Sequence, residues 1–490
     1  MSGQDRREFA SRTPVNENTE RVVYRRGFVT RHQVSGWRFV MRRIASGVAL
    51  HDTRMLVDPL RTQTRAVLVG ALVFITGIAG CFIFSLIRPS GVAGNDAVLA
   101  DRSTAALYVK VGDRLHPVLN LASARLIAGR PENPTTVKTE ELDKFARGNL
   151  LGIPGAPERL VQNTSRDAQW TICDDSSGTG AAVIAGSLGT GGESAADLES
   201  QHAVLVQHEG RTWLLWDGRR SPVDLADRAV TDALGLGADS PAPRPVAVGL
   251  FNAIPEGPAL SVPAIAHAGE KPQFPLPASV PVGAVVAAYE ADNTIKYYAV
   301  LSEGLQPIPE VVAAILRNAN SYGLAQSPRL GADDVARMPV ARGIDTSAYP
   351  REQVTIVDPT DDPVTCARWA KPEGATTSSL TLLTGAAVPL PDGRETVALV
   401  GSPNRVALTP GSGYFVSSAG ALFWVSDTGV RYGIEDAKAA TALGLTLEPL
   451  QIPWSILSQF AAGPTLSRAD ALLAHDALPP APKPAGSQNP

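Results

Sequence analysis

Cysteine, histidine and paired acidic residues are the groups in this 490-residue chain best suited to metal, redox or acid–base chemistry. Their spacing supplies little of it. Cys81, Cys173 and Cys366 are too few for a four-thiolate zinc site and enough for one bridge. His202 and His208, the closest histidine pair, are spaced wrongly for one helical face, and no HExxH occurs. A P-loop needs Gly-Lys-Ser/Thr, so that backbone amides and the lysine hold phosphate. No lysine in this chain follows a glycine. The glycine-rich run Gly186–Gly192 therefore reads as a loop, and there is no GxSxG elbow. Asp361 and Asp362 beside Pro363 read as a solvated turn. No catalytic, cofactor-binding or metal-ligating residue is assigned, although spacing alone does not reveal a Ser-His-Asp set gathered from distant segments.

The elements that would position such groups are divided by one apolar run. Residues 1–65 carry 13 Arg, no Lys and 6 acidic side chains, while the whole chain is at −4, so the remainder is strongly acidic. An acidic large part without recurring basic–aromatic spacing opposes nucleic-acid binding. From Ala66 to Ile87 no charge occurs, which is long enough for a transmembrane helix between Arg65 and Arg88. Near the span, Arg54, Arg61 and Arg65 precede it and Arg88 and Arg102 follow it, which favours a cytoplasmic N-terminus. The large C-terminal part is then extracytoplasmic. Before the span, Val34, Trp37, Met41, Ile44 and Val48 recur at helical spacing as one apolar stripe. Arg31, Arg38 and Arg42 lie off it, as on a helix at an acidic leaflet. Phe39 falls almost opposite the stripe, and an aromatic residue there points to a protein partner. The contact residues expected are Arg31, Trp37, Arg38, Phe39, Arg42 and Arg43.

Beyond the span, four segments share an apolar run, a glycine turn, a second apolar run and an Ala/Leu-rich helical stretch. They centre on Gly112, Gly218, Gly304 and Gly429, and each reads as a β-hairpin covered by a helix. Segments after the first and third modules match (EELDKFARG and DDVARMPVARG), as do Gly-Pro-x-Leu segments after the second and fourth. The expected fold is a single-pass membrane protein whose extracytoplasmic α+β region holds four β-hairpin–helix repeat modules around a central, mostly-β domain with pseudo-two-fold symmetry. Its expected parts are a flexible cytoplasmic tail (1–30), a basic amphipathic helix (31–65), the transmembrane helix (66–87) and a linker (88–100). The modules are 101–148, 201–270, 290–343 and 412–476, the central domain is 149–200 and 344–411, and 477–490 is a flexible tail. Cys173 and Cys366 lie 25 and 23 residues after matching Arg-Gly pairs. Beyond the span they occupy a compartment that can be oxidising. They are expected to form a disulfide near the two-fold axis, with Cα atoms about 5.5–6 Å apart and Trp170 and Trp369 covering it.

TRHQVSGWRFVMRR, ALYVKVGDRLHPVLNLASARLI, GIPGAP, WTICD, RYGIEDAKAATALGL and GPTLSRADALLAHDALP together resemble the EccB family, core membrane components of mycobacterial type VII (ESX) secretion systems. The resemblance covers about residues 30–480, and the Arg-rich tail looks most like the paralogue of the iron- and siderophore-linked system. It implies a structural subunit of the plasma membrane with a cytoplasmic N-terminus and a periplasmic domain. It also implies assembly with the motor ATPase EccC, with EccD, EccE and a mycosin protease, self-association, and contact with peptidoglycan. Members of the family have been described as ATPases, and ATP enters only under that alternative, through a site other than a P-loop.

Overall fold

The chain forms two units, Met1–Ser90 and Gly91–Pro490, in a computed structural model that describes residues 30–51, 59–87, 91–175, 180–276, 279–289 and 293–475. Of the expected tails 1–30 and 477–490, all but residue 30 lies outside the described residues.

In the first unit, α1 spans Arg31–Leu50. Gln33 Oε1 accepts from the Thr30 amide at 2.9 Å, closing the first turn. The helix ends where His51 turns left-handed (φ 54°). The helical segment expected to run from 31 to 65 therefore stops at Leu50. A second helix, α2 (Pro59–Ile87), starts at a proline that already has the right φ and needs no donor. It thus begins seven residues before the apolar run. Its stretch Thr64–Ile83 has a mean hydropathy of 2.5 and none of it is buried by protein. At about 1.5 Å per residue these 20 residues match a bilayer core of about 30 Å.

Among the described residues the second unit contains five sheets. The first is built from β1 (Val98–Asp101), β2 (Leu107–Val111), β3 (Arg114–Val118), α3 (Leu121–Ala128), β4 (Thr135–Val137), α4 (Thr139–Leu142) and β5 (Ala146–Arg147), in strand order β4-β1-β2-β3-β5. Three strands of the central sheet follow: β6 (Ala168–Asp174), β7 (Ala182–Ala185) and β8 (Ala196–Asp197). The next sheet uses β9 (His202–His208), β10 (Arg211–Trp216), β11 (Arg219–Pro222) and, after α5 (Arg228–Leu234), β12 (Arg244–Pro245), followed by α6 (Val248–Ala253). The third uses β13 (Val285–Tyr289), β14 (Ile295–Val300), β15 (Leu305–Ile308) and, after α7 (Glu310–Ala319), β16 (Arg329–Leu330), followed by α8 (Ala332–Arg337). The chain then runs through β17 (Thr355–Ile356), β18 (Val364–Lys371), β19 (Ser379–Gly385), β20 (Val397–Ala398) and β21 (Arg405–Ala407). The last sheet holds β22 (Tyr414–Ser418), β23 (Ala421–Val425), β24 (Val430–Ile434), β25 (Leu450–Gln451) and β26 (Ala461–Ala462), with α9 (Ala437–Leu443), α10 (Trp454–Leu457) and α11 (Arg468–Ala471).

Four of these sheets share one plan: a three-stranded antiparallel meander, a helix, and a short strand that returns parallel to the first strand of the meander. A further short segment then lies parallel to the third strand, as β5, β26 and the bridges Arg220–Glu256 and Leu305–Val340. Each unit is thus larger than a hairpin and a helix. In the first and third of them the first strand, Val98–Asp101 or Val285–Tyr289, begins before the boundaries expected at 101 and 290. The turn glycines also differ. Gly112, Gly218 and Gly429 have positive φ, but Gly304 does not. It is required instead by close approach, because a Cβ there would lie 2.2 Å from the Pro339 carbonyl oxygen.

The helices set how these sheets pack. Val230 and Leu234 of α5 share a core with Val312, Ile315 and Leu316 of α7, joining the second and third sheets. Ala122 and Leu126 of α3 share another with Ala439 and Leu443 of α9, joining the first and last. The remaining sheet, in order β20-β21-β7-β6-β18-β19-β8, lies centrally and draws strands from both halves of the sequence.

Candidate functional site

At the middle of the central sheet, β6 and β18 run antiparallel, with Cys173 directly opposite Cys366 and Trp170 opposite Trp369. A disulfide joins the two cysteines, with their Cα atoms 4.0 Å apart. That is closer than the 5.5–6 Å expected, because strand pairing already brings directly opposed residues to about 4.5–5.5 Å, and this pair lies closer still. Both cysteines are at most 1% exposed. The tryptophans do not cover the bridge. They lie three positions from the cysteines, and a strand alternates faces every residue. Trp170 faces the side covered by α6 and α10, where Leu250, Phe251, Ile456 and Leu457 also pack. Its Nε1 donates to the Gln451 carbonyl at 3.0 Å, and its ring meets Tyr414 edge-on at 5.3 Å.

The disulfide face is covered by two loops. Ile184, Ala195, Leu383 and Ala407 surround the sulfurs, with Leu188, Val388 and Leu390 against them. Leu188 belongs to the glycine-rich run Gly186–Gly192. A Cβ on Gly189 would lie 2.0 Å from the Leu390 carbonyl oxygen, so the glycine there permits loop-on-loop packing. Asp361 is exposed, and the Asp362 carbonyl accepts from Arg244 Nη1 at 2.8 Å. Burial lowers the Arg244 guanidinium to about 10, with Asp174 and then Asp362 opposing the shift. His208 stacks on Phe251 at 3.9 Å, and His202 lies 3.4 Å from Glu199. Among the described residues no group of three His, Cys, Asp or Glu side chains converges as a metal site would require.

Two arginines escaped the sequence reading, Arg220 in β11 and Arg431 in β24. Arg431 Nη1 donates to the carbonyls of Leu457, Ser458 and Phe460 at 3.2, 2.9 and 2.8 Å, tying down the end of α10. Arg220 Nη1 donates to the Phe251 carbonyl in α6, and its guanidinium lies 3.9 Å from the Phe251 ring centre. Burial lowers the pKa of both. Their signal was legible, since each stands two residues after a turn glycine, Gly218 or Gly429.

The expected contact residues Arg31, Trp37, Arg38, Phe39, Arg42 and Arg43 all lie on α1, and all are exposed. Ala66 lies within α2, and Ile87 is the residue at which that helix ends.

The family model described as "Type VII secretion system ESX-1, transport TM domain B" matches residues 26–480. This chain belongs to the EccB family. A protein of Mycolicibacterium smegmatis named ESX-3 secretion system ATPase EccB3 is 66% identical, over 98% of this chain and 97% of that protein. Its namesake in Mycobacterium tuberculosis H37Rv is 63% identical, over 98% and 96%. Among solved structures, the EccB3 dimer from the ESX-3 core complex is 60% identical with a TM-score of 0.71, covering 77% of this chain and 100% of that one. The intact ESX-5 inner membrane complex contains a chain 37% identical with a TM-score of 0.72, covering 94% of this chain and 98% of that one. This EccB-family chain is thus similar over most of its length to a chain of a solved inner membrane complex.

Proposed function

We propose that the chain is a structural, single-span membrane subunit of a type VII (ESX) secretion complex. It scaffolds the channel and organises its periplasmic face. The observation that carries this is the 98% coverage by relatives at 63–66% identity, which includes the basic helix, the span and all five sheets. In this reading the N-terminus is cytoplasmic, because arginines are denser before α2 than after it. The unit beyond Gly91 is periplasmic, where a disulfide persists. Self-association is supported by the relative solved as a dimer.

The four similar sheets are read as duplicated repeat modules. Supporting this, the first pairs with the last as the third pairs with the second. The facing pair Ile172–Ala367 is also separated by the same 195 residues as Gly148 and Gly343, which supports a pseudo-two-fold axis one residue from the disulfide. On the cytoplasmic side, α1 contacts a protein partner through Phe39. EccC, EccD, EccE and a mycosin are the partners the family resemblance supplies, and peptidoglycan is the ligand it supplies for the repeats. A second reading comes from the relatives' printed name, secretion system ATPase. Against it stands the missing Gly-Lys pair, since phosphoryl transfer depends on groups that hold the β- and γ-phosphates.

Co-purification of the full chain in mild detergent tests the scaffold. An FtsK-like ATPase is recovered in fixed ratio with the wild type and is lost with Phe39→Ala, whose membrane insertion is unchanged. A lone monomer would refute the assembly. Mg²⁺-dependent hydrolysis that follows the protein peak through a sizing column would favour the ATPase reading.

A further inference from the structure

Helix α1 separates its side chains by face. Val34, Trp37, Met41, Ile44 and Val48 form one stripe and are 37–75% exposed. Among the described residues nothing covers them. No acidic residue occurs between Arg31 and Leu50, and Arg31, Arg38 and Arg42 border one edge of the stripe while Arg43 lies beyond the other. Phe39, 56% exposed, stands on the far side. The distance to a bilayer is also constrained. Only eight residues separate Leu50 from Pro59, a reach of at most about 30 Å. The apolar stretch begins five residues further, at Thr64. A stripe of this kind tethered this close to a span, with arginines along one border and no acidic residue on the helix, is complementary to one surface in particular, an anionic leaflet.

We propose that α1 lies in the headgroup layer beside its own membrane span, with the Val34–Val48 stripe among the acyl chains. The bordering arginines reach back to lipid phosphates, as long cationic side chains do at interfaces. This orientation turns Phe39 away from the bilayer and presents it to the cytoplasm. The lipid seat rests on the proposed single-span topology of α2, but not on the proposed protein partner. The two faces of one helix thus serve two different surfaces, and the lipid contact sets which face a partner meets.

The test uses the full chain, alone, in nanodiscs. In a Cys81→Ser background, spin labels are placed by Met41→Cys, Ile44→Cys, Val48→Cys, Phe39→Cys or Arg43→Cys, and by Leu72→Cys in α2 as a control. The disulfide-bonded Cys173 and Cys366 do not label. In nanodiscs containing anionic phosphatidylglycerol, labels at 41, 44 and 48 should favour oxygen over a water-soluble nickel reagent. Labels at 39 and 43 should show the reverse. In purely zwitterionic nanodiscs that contrast should fall at least twofold. Aqueous signals at all five α1 positions, with a lipid-buried signal at 72, would overturn the lipid seat and leave the span intact. An aqueous signal at 72 would overturn the span itself. A contrast unchanged by lipid charge would overturn the part assigned to the arginines. Protection of the stripe only after cytoplasmic partners are added would overturn the proposal in favour of protein docking.

Discussion

Arg431 shows how much one side chain can hold at the end of a short helix. Its guanidinium supplies donors to three carbonyls at the end of the four-residue helix α10, of which Leu457 O also accepts from the Phe460 amide while Ser458 O and Phe460 O lie past the helix's own bonding. Burial disfavours the charge, and the carbonyl fan is what offsets that cost. Arg431→Ala should therefore destabilise the unit beyond Gly91 by about 2–4 kcal/mol, the cost of leaving several buried acceptors unpaired. Arg431→Lys should restore less than half, because a single ammonium does not reproduce the planar fork. Urea unfolding monitored by tryptophan fluorescence would measure both. A neutral Arg431→Ala would mean that water replaces the guanidinium. Arg220, at the corresponding place in β11, also meets an aromatic face, so its loss removes packing as well as hydrogen bonds.

At the scale of elements, the hairpin turns divide by mechanism. Three of the four glycines adopt positive φ, where Ala costs about 1–2 kcal/mol, and at Gly218 a Cβ would in addition lie 2.6 Å from the Leu380 carbonyl oxygen. Gly304 has no positive φ and is required by close approach alone. The segment Pro339–Ala341 lies across it, joined through Leu305 N to Pro339 O and Ala341 N to Leu305 O at 2.8 and 2.9 Å. An added methyl meets backbone, which has no rotamer to escape through. Gly304→Ala should cost at least about 3 kcal/mol and loosen the third sheet before the others. Hydrogen exchange would show this as lost protection in Leu305–Ile308. Protection unchanged relative to the neighbouring variant Ser302→Ala would contradict the close-approach account. The periodicity of each hairpin was readable, yet the first strand of each meander was not. Val98–Asp101 is four residues long, too short for alternation to stand out, and its pairing with β2 is made only in the folded sheet.

Across the whole molecule, the disulfide closes a loop of 193 residues and joins the central strands of the two halves. In the chain-entropy picture such a closure contributes up to about 5 kcal/mol. Cys173→Ala/Cys366→Ala should lower the denaturant midpoint by an amount corresponding to about 3–5 kcal/mol. The sulfurs are buried, so reductant should act on native protein only through unfolding. Non-reducing mass spectrometry should give a cross-linked 173–366 peptide, and free alkylation of both thiols in oxidised native protein would sink the bridge.

Apolar length marked one helix long enough to cross a membrane, charge marked a basic segment before it and an acidic one after it, and the lack of any Gly-Lys pair left no P-loop motif, because these properties need no knowledge of distant contacts. Turn glycines and helical periods likewise revealed the hairpins and their covering helices, which form within about 25 residues of chain. The tertiary structure alone decided which face of β6 carries the bridge. Trp170 and Cys173 look like neighbours in a sequence, but the pleat sends them to opposite sides of the sheet, one under α6 and α10 and the other under two loops. It also decided that α1 ends at Leu50, where His51 takes a left-handed conformation that residue pattern did not announce. The pairing of the first sheet with the last and the second with the third lay beyond the sequence for the same reason. Helix faces are written locally, whereas the partner that covers each one is chosen by the folded chain as a whole.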